Sequence, residues 1–516
     1  MIKTQGDLEE LAEIGLKEVM GLPRVREAEV FASSNEVDTT KDDLETDVPC
    51  GVVHQPSCMK TEGVGVRLFT NDGLYGFGFE SSLGKTAVVN AAKKALDGAY
   101  HKPLVQHLPN CTSDKPKTTN YHDLRILEAG GTESVDFGYR CADGVIEVYR
   151  REGFTAEDNL ALSGDVTTVR EGIGIRSSRG IVGGDTSTLM WAYLTSMIQK
   201  RNSKGTGWAT GGRIDTFSPE EAGRMAASNA VRSIGGQRIP KSGKHNVVFG
   251  PQAVTDLVHH FLQAVFNAAA VGVGHTPISG VYGKQAISSL LNVYDDGSLP
   301  GLAATKGINC EGLPTERTDL IKEGVLVGFL SDQETAQTWN GDFENDATKM
   351  YREKLRKMLG TTDIPILRGR NGFRFGRGGG RQYMGEPSVE ATNLFLEGTN
   401  PIPEQALLEA IGDGLYIGTL WYTYPVHGIN AGDVTSTAIA NSYIVKGGKI
   451  VSPLLPNTVR IEDNFPRMFN NLLAVGDKVR TALVWGIESM VNTPEIAIRD
   501  VNLSDIAQYM SASKAA

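Results

Sequence analysis

The chain has 516 residues, 40% hydrophobic and 22% charged, with a formal net charge of −10. That length exceeds what one hydrophobic core usually holds and predicts two or three domains. The composition is that of an ordinary soluble globular protein, and the acidic balance argues against broad nucleic-acid binding, which needs a basic footprint. No run of about 18 apolar residues occurs, so no membrane span is expected. The opening residues, MIKTQGDLEELAEIGLKEVM, carry acids where a signal peptide would carry a basic region and an apolar core, and they read as a helix start. Cys50, Cys58, Cys111, Cys141 and Cys310 form no CxxC pair, so reduced thiols in a cytosolic protein are expected.

In chain order, residues 7–20 predict an amphipathic helix and REAEVFASS a strand. GVGVRLFTNDGLYGFGFESS places alternating runs on both sides of Asn71-Asp72-Gly73, a favoured hairpin turn. LGKTAVVNAAKKAL has helical spacing. These elements make a first α+β unit over residues 1–110. Residues 101–122 are rich in Pro, Lys, Thr and Asn and read as a loop. A second α+β unit, residues 111–240, holds a helix in GTESVDFGYRCADGVIEVYRREG, strand-like runs from Asn159 to Lys200, and a helix opening on Ser218-Pro219-Glu220-Glu221. The third unit, residues 241–516, starts with the strand HNVVFG and a helix over 251–269. It is then rich in strands, with hairpin turns at Lys322-Glu323-Gly324 and Lys446-Gly447-Gly448-Lys449. NFPRMFNNLLAVGDKV reads as a late helix.

The stretch DLVHHFLQAV, Asp256 to Val265, raises the question of a metal site. Val254, Leu257, Val258, Phe261, Leu262 and Val265 share one helix face, and Asp256, His259, His260 and Gln263 the other. Adjacent histidines diverge by about 100° on a helix and do not converge on one ion. A helical zinc pair needs His at i and i+4. Gln263 and Ala264 hold those positions relative to His259 and His260. The pattern therefore fits a polar helix face toward solvent, a cleft or a partner.

GVGVRLF leads into a strand and fails the dinucleotide fingerprint. RGRNGFRFGRGGGRQYMGEP carries Arg368, Arg370, Arg374, Arg377 and Arg381. With KMYREKLRKML before it, residues 349–381 form a cationic island in an acidic protein. Such an island is either a solvated or cleft-side loop or a site for carboxylates and acidic partners. Cys310 lies in GINCEGLP with no base visible beside it.

EGVGVRLFTNDGLYGFGF, CEGLPTERTDLIKEGVLVGFLSD, PSVEATNLFLEGT, GINAGDVTSTAIANSYIVKGGKIVSPLL and NFPRMFNNLLAVGDKV resemble, in order along nearly the whole chain, the TldD/PmbA family, also called modulators of DNA gyrase. The resemblance implies an α+β fold, with a mixed N-terminal region and a β-rich C-terminal domain built on a long curved antiparallel sheet. It further implies a dimer enclosing a cavity. TldD-like members carry HExxxH on a helix and a zinc-ligating Cys near the C-terminus, and resemble metallopeptidases. PmbA members, also called TldE, lack the metal motif and pair with a TldD subunit. Aligned on that motif, His259 stands at the first ligand, His260 at the general base, Ala264 at the second His, and Trp485 near the Cys.

The expected function is thus that of the non-zinc, PmbA/TldE-like subunit of a cytosolic metallopeptidase complex acting on small or unfolded peptides. No cofactor is expected in this chain, with zinc held by a TldD-like partner in a heterodimer; a homodimer is the alternative. His259 and His260 are the catalytic candidates. Arg374, Arg377, Arg381, His427 and Asn430 are candidates for gripping peptide. A second possibility is a self-sufficient hydrolase rebuilt around His259 and His260, with His275, His427 and Cys310 as further candidates. A third is a binding protein for anionic ligands or nucleic acid through residues 368–381.

Overall fold

The computed structural model describes residues 2–45, 53–129, 132–376, 379–483 and 489–507. Helix α1 (Gln5–Met20) starts at Thr4, whose hydroxyl accepts from the Asp7 amide while the Asp7 carboxylate accepts from that of Thr4. This reciprocal cap satisfies amides that a helix start leaves without partners. Strands β1 (Val25–Glu45) and β2 (Val53–Thr70) follow, and Asn71-Asp72-Gly73 turns β2 into β3 (Tyr75–Glu80). Gly73 takes φ 82°, as the turn requires. Helix α2 (Lys85–Asp97) lies against β3 so closely that a Cβ at Gly76 would stand 2.1 Å from the Ala95 carbonyl oxygen. The glycines of YGFGF and the alanines of AVVNAAKKA are thus two sides of one close approach.

Residues 101–122 hold no helix or named strand. Helices α3 (Leu124–Glu128) and α4 (Glu133–Arg151), strands β4 (Leu160–Ser177), β5 (Val182–Ile198) and β6 (Ser203–Gly211), and helix α5 (Pro219–Arg232) complete this half. The strands form one antiparallel sheet in the order β3-β2-β1-β4-β5-β6. Strand β1 pairs with β4 from Glu29 opposite Ser177 to Glu45 opposite Ala161. The units expected over 1–110 and 111–240 therefore share one sheet. Each retains its own apolar cluster: α1 and α2 over Val30, Val64 and Val66, and α4 and α5 over Leu162, Met190 and Leu194. Helices α4 and α5 cross at glycines; a Cβ at Gly223 would stand 2.0 Å from the Cys141 carbonyl oxygen.

The remainder begins with β7 (Gly243–Phe249) and α6 (Pro251–Phe266). The helix expected over 251–269 breaks at Asn267, whose side chain caps α7 (Ala268–Val273) by accepting from the amides of Ala269 and Ala270. Next come β8 (Leu291–Asp296), β9 (Arg317–Lys322), β10 (Val325–Leu326), α8 (Gln333–Asn340), α9 (Asp346–Leu359), β11 (Gly372–Phe373), β12 (Ser388–Val389), β13 (Asn393–Gly398) and α10 (Glu404–Ile411). The chain then runs through β14 (Gly414–Val426), β15 (Asp433–Lys446), β16 (Lys449–Pro453), β17 (Val459–Asn464), α11 (Phe465–Asn470), β18 (Leu472–Val475), β19 (Arg480–Leu483), β20 (Met490–Thr493) and β21 (Ile496–Asp505). The expected late helix is thus only α11. Asn464 and Pro466 start it, and LLAV leaves it to pair as β18 with β21.

A six-stranded sheet runs β10-β9-β8-β13-β20-β19, and a seven-stranded sheet gathers β14, β7, β21, β17, β15 and β16, with β18 on β21. Both are mainly antiparallel; β13 with β20 and β14 with β7 are the parallel pairs. The Lys322-Glu323-Gly324 and Lys446–Lys449 turns form as expected, with Glu323, Gly324, Gly447 and Gly448 all at positive φ. The architecture is α+β with large antiparallel sheets, and the longest strands, β1, β2 and β4, lie in the first sheet. No helix among the described residues is long and apolar enough to cross a membrane.

Candidate functional site

Helix α6 is held by its apolar face. Val254, Leu257, Val258 and Val265 are buried in the largest core cluster, as the helical spacing predicted, and Phe266 is buried with them; the side chains of Phe261 and Leu262 lie outside the described residues. The opposite face does not meet open solvent along its first turns. Gln252 is buried, and its amide donates to the Asp256 carboxylate and to the Leu483 carbonyl, each at 3.5 Å. The Gln252 side-chain oxygen is buried without a hydrogen-bond partner. Asp256 retains some open surface, yet burial pushes its carboxyl well above the usual carboxylate range, with the Gln252 amide pulling weakly the other way. Tyr193, on β5, is raised first by burial and then by the Asp256 carboxylate, with a hydrogen bond to Thr206 opposing. Asp256 and Gln252 thus pair a weakly acidic carboxyl with an amide, within electrostatic reach of the neutral Tyr193 phenol, groups that can bind a peptide unit or hold a proton.

Two junctions fix this arrangement. The Asn441 amide donates to the Thr206 carbonyl, the Thr206 hydroxyl and the Thr419 hydroxyl at 3.2, 2.9 and 3.1 Å, and its oxygen accepts from the Thr206 amide at 3.1 Å. One side chain, at φ 51°, therefore ties β6 to β14 and β15. The Trp208 indole of β6 donates to the Thr481 carbonyl of β19 at 3.0 Å.

His259 is half-buried on α6. The side chain of His260 lies outside the described residues, as do Arg377 and Trp485. His275 is exposed beyond α7. His427 and Asn430 are exposed at the turn between β14 and β15. His427 takes a left-handed φ of 58° with Nδ1 3.2 Å from Asp433, and lines an open cleft of about 580 Å³. Cys310 is buried, and burial pushes its thiol up to about 12, so it holds no thiolate at neutral pH.

The arginine stretch is anchored inside the chain. Arg374 is buried and pairs with Glu29 at 3.0 Å; Arg67 clasps the same carboxylate at 2.7 Å. Arg381 is buried and pairs with Asp185 at 2.7 Å and Glu171 at 3.0 Å, where Lys306 joins at 2.5 Å. Against the cost of burial, Arg381 and Lys306 bring the Glu171 carboxyl down to about 2. Arg368 pairs with Glu316, and Arg370 with Asp114 and Glu316. The carboxylates come from β1, β4, β5 and distant loops, so no local motif announced them.

A zinc site needs His, Cys or carboxylate ligand atoms that converge on one point. Among the described residues, Glu36, Asp38 and Cys58 are the His, Cys, Asp and Glu groups whose ligand atoms converge, all within 4.8 Å of one another. The Arg170 guanidinium already occupies both carboxylates, and burial with a hydrogen bond to Asp38 pushes the Cys58 thiol up to about 11. A protonated thiol beside a bound guanidinium does not fit a metal ion, and α6 is not part of that group.

A two-part α+β chain, with a polar helix face set between two large sheets, defines the class. The profile described as the PmbA/TldA metallopeptidase C-terminal domain matches residues 242–505, half of the chain, and the chain belongs to the PmbA/TldD family. It is 26% identical over 350 residues to an uncharacterized protein of Methanocaldococcus jannaschii, covering 67% of this chain and 75% of that one. It is 23% identical over 441 residues to a metalloprotease TldD homolog of Buchnera aphidicola, covering 79% and 78%. The fold superposes on TldE of Thermococcus kodakarensis with a TM-score of 0.71 at 17% identity, covering 96% of this chain and 100% of that one.

Proposed function

We propose that this chain is the non-zinc, PmbA/TldE-like subunit of a cytosolic peptidase complex that processes small or unfolded peptides, dimerising with a TldD-like chain that carries the zinc. What supports this reading is α6: a helix of the matched family domain in which Gln263 and Ala264 stand at the i+4 positions of His259 and His260, and whose polar face sets Gln252 against Asp256. A subunit of this kind contributes wall, peptide contacts and dimer surface. The test is purification of the chain alone and with a TldD-like partner, followed by metal analysis and peptide hydrolysis on both. Hydrolysis and stoichiometric zinc in the mixed complex only are the expected result. Zinc bound at His259, or full hydrolysis by the chain alone, overturns it.

The desolvated Asp256 carboxyl beside Tyr193 favours one alternative, a self-sufficient homodimeric enzyme rebuilt on α6. There Asp256 would serve as general acid and the tyrosine would orient the substrate carbonyl. Anionic-ligand or nucleic-acid binding through residues 368–381 gains no such support, since Arg368, Arg370, Arg374 and Arg381 already pair with carboxylates of the chain.

A further inference from the structure

A groove of about 800 Å³ runs between α5 and the seven-stranded sheet, with Trp208, Asn441 and Pro251, the first residue of α6, in its lining. One wall is a single stripe of α5, from Glu221 through Arg224, Met225, Ser228 and Asn229 to Arg232. That spacing of three and four residues keeps every member on one helix face. The stripe is roughly 16 Å long at ~1.5 Å per residue. The facing wall is β16, which among the described residues pairs with β15 alone and is an edge of its sheet. Gln237 caps this edge only near its end, where its amide donates to the Pro453 carbonyl at 2.9 Å. Ile450 and Val451 are left 45% and 53% exposed. An open edge with exposed β-branched residues is a template for a further strand.

The floor contains polar groups in need of a partner. Tyr443 is 8% exposed, and its buried hydroxyl has only the Ser233 oxygen near it, in poor geometry, while the Ser233 hydroxyl donates to the Asn229 carbonyl at 2.8 Å. Tyr416 lies next to it, with ring centroids 6.0 Å apart, and donates to Glu495 at 2.9 Å. Arg232 and Arg480 line the groove and are exposed; Arg480 favours the charged form of Glu495, which lines the groove together with Glu404, and Arg232 has no salt bridge among the described residues. Arg224, by contrast, is held by Glu147 and Glu221.

We infer that this groove captures an extended acidic peptide, added as a strand to β16, with its carboxylates toward Arg232 and Arg480 and a backbone or side-chain group on the Tyr443 hydroxyl. The stripe accommodates roughly five extended residues at ~3.3 Å each. Backbone pairing makes the capture tolerant of sequence, while the two arginines select for negative charge. The inference deepens the peptide-handling reading and rests on it, yet its test measures binding alone.

The probe is a fluorescent seven-residue peptide of alternating valine and glutamate, titrated into the full chain and followed by anisotropy, with hydrogen exchange read over residues 449–453. Saturable binding is expected, together with slower exchange at Ile450, Val451 and Ser452. Arg232→Glu, an exposed change, should weaken binding at least tenfold without moving the melting temperature, and Arg480→Glu likewise. A valine–glutamine peptide should bind at least tenfold more weakly than the valine–glutamate one. No saturable binding, or equal affinity in both arginine variants, overturns the inference. So does β16 protection that grows with protein concentration in the absence of peptide, which would show a second copy covering the edge. A chain that binds the probe but never supports hydrolysis retains the groove and loses the complex; supported hydrolysis without probe binding does the reverse.

Discussion

Arg381 donates to Asp185 at 2.7 Å across 196 positions of sequence, and both side chains are buried. The pair, with Glu171 and Lys306, anchors the glycine- and arginine-rich stretch to the first sheet. Removing one member leaves uncompensated charge in a low-dielectric interior. Arg381→Ala is therefore expected to destabilise the chain by about 3–5 kcal/mol, read as a shift in the urea midpoint. A loss below about 1 kcal/mol would show that the stretch is not anchored through this residue.

Glu311 gives a pH prediction with a definite sign. Burial raises its carboxyl from the ordinary 4.5 to about 8, against the pull of Arg67 at 3.5 Å. Between those values the folded chain holds a proton that the unfolded chain has lost. This group's contribution is therefore fully present below about 4.5 and is lost as pH rises through about 8. Glu311→Gln cannot ionise. Its stability should fall less between about pH 5 and about pH 8 than that of the parent, by denaturant melts at both ends. Parallel curves would remove Glu311 as a titrating group of the folded state.

On α6, the proposed supporting role sets modest limits. His259→Ala, His260→Ala and Asp256→Asn should each leave hydrolysis by the mixed complex within about tenfold, a barrier change of about 1.4 kcal/mol. Asp256→Asn should also fold as well as the parent at neutral pH, because an amide replaces a carboxyl that burial already disfavours as an anion. A loss of about a hundredfold in the chain alone, with circular dichroism unchanged, would point to general acid–base chemistry in this subunit.

Asn441 should be a structural linchpin. Alanine there removes the bonds to Thr206 and Thr419 and leaves a β-carbon at a left-handed φ of 51°. The expected cost is about 2–4 kcal/mol by thermal or urea melting. Asn441→Gly loses the same bonds without the backbone strain and should cost about 1 kcal/mol less. Equal melting of the two variants would exclude strain at this position.

Much of the architecture was written locally. Asn71-Asp72-Gly73 and the Lys446–Lys449 turn require backbone conformations that their own residues favour, so both hairpins form where the sequence places them. The apolar spacing of α6 named the buried face, because a helix displays its core contacts at a fixed period. Boundaries set by competition between neighbours were less legible. LLAV continues the helical spacing of FPRMFN, yet pairs with β21, a choice that depends on a strand some 25 residues further on in the chain, from Leu472 to Ile498. The arginine stretch shows the same limit at longer range. Its own residues read as a charged loop, because the carboxylates that neutralise it are Glu29, Glu171 and Asp185, brought alongside only when the first sheet assembles. Tyr193 likewise meets Asp256 only in the assembled chain. Local hydrogen bonding and periodicity determine elements and faces; burial of charge beside a partner is a property of the packed molecule, and that is where the tertiary structure decided which polar residues serve the fold and which are left to meet a ligand.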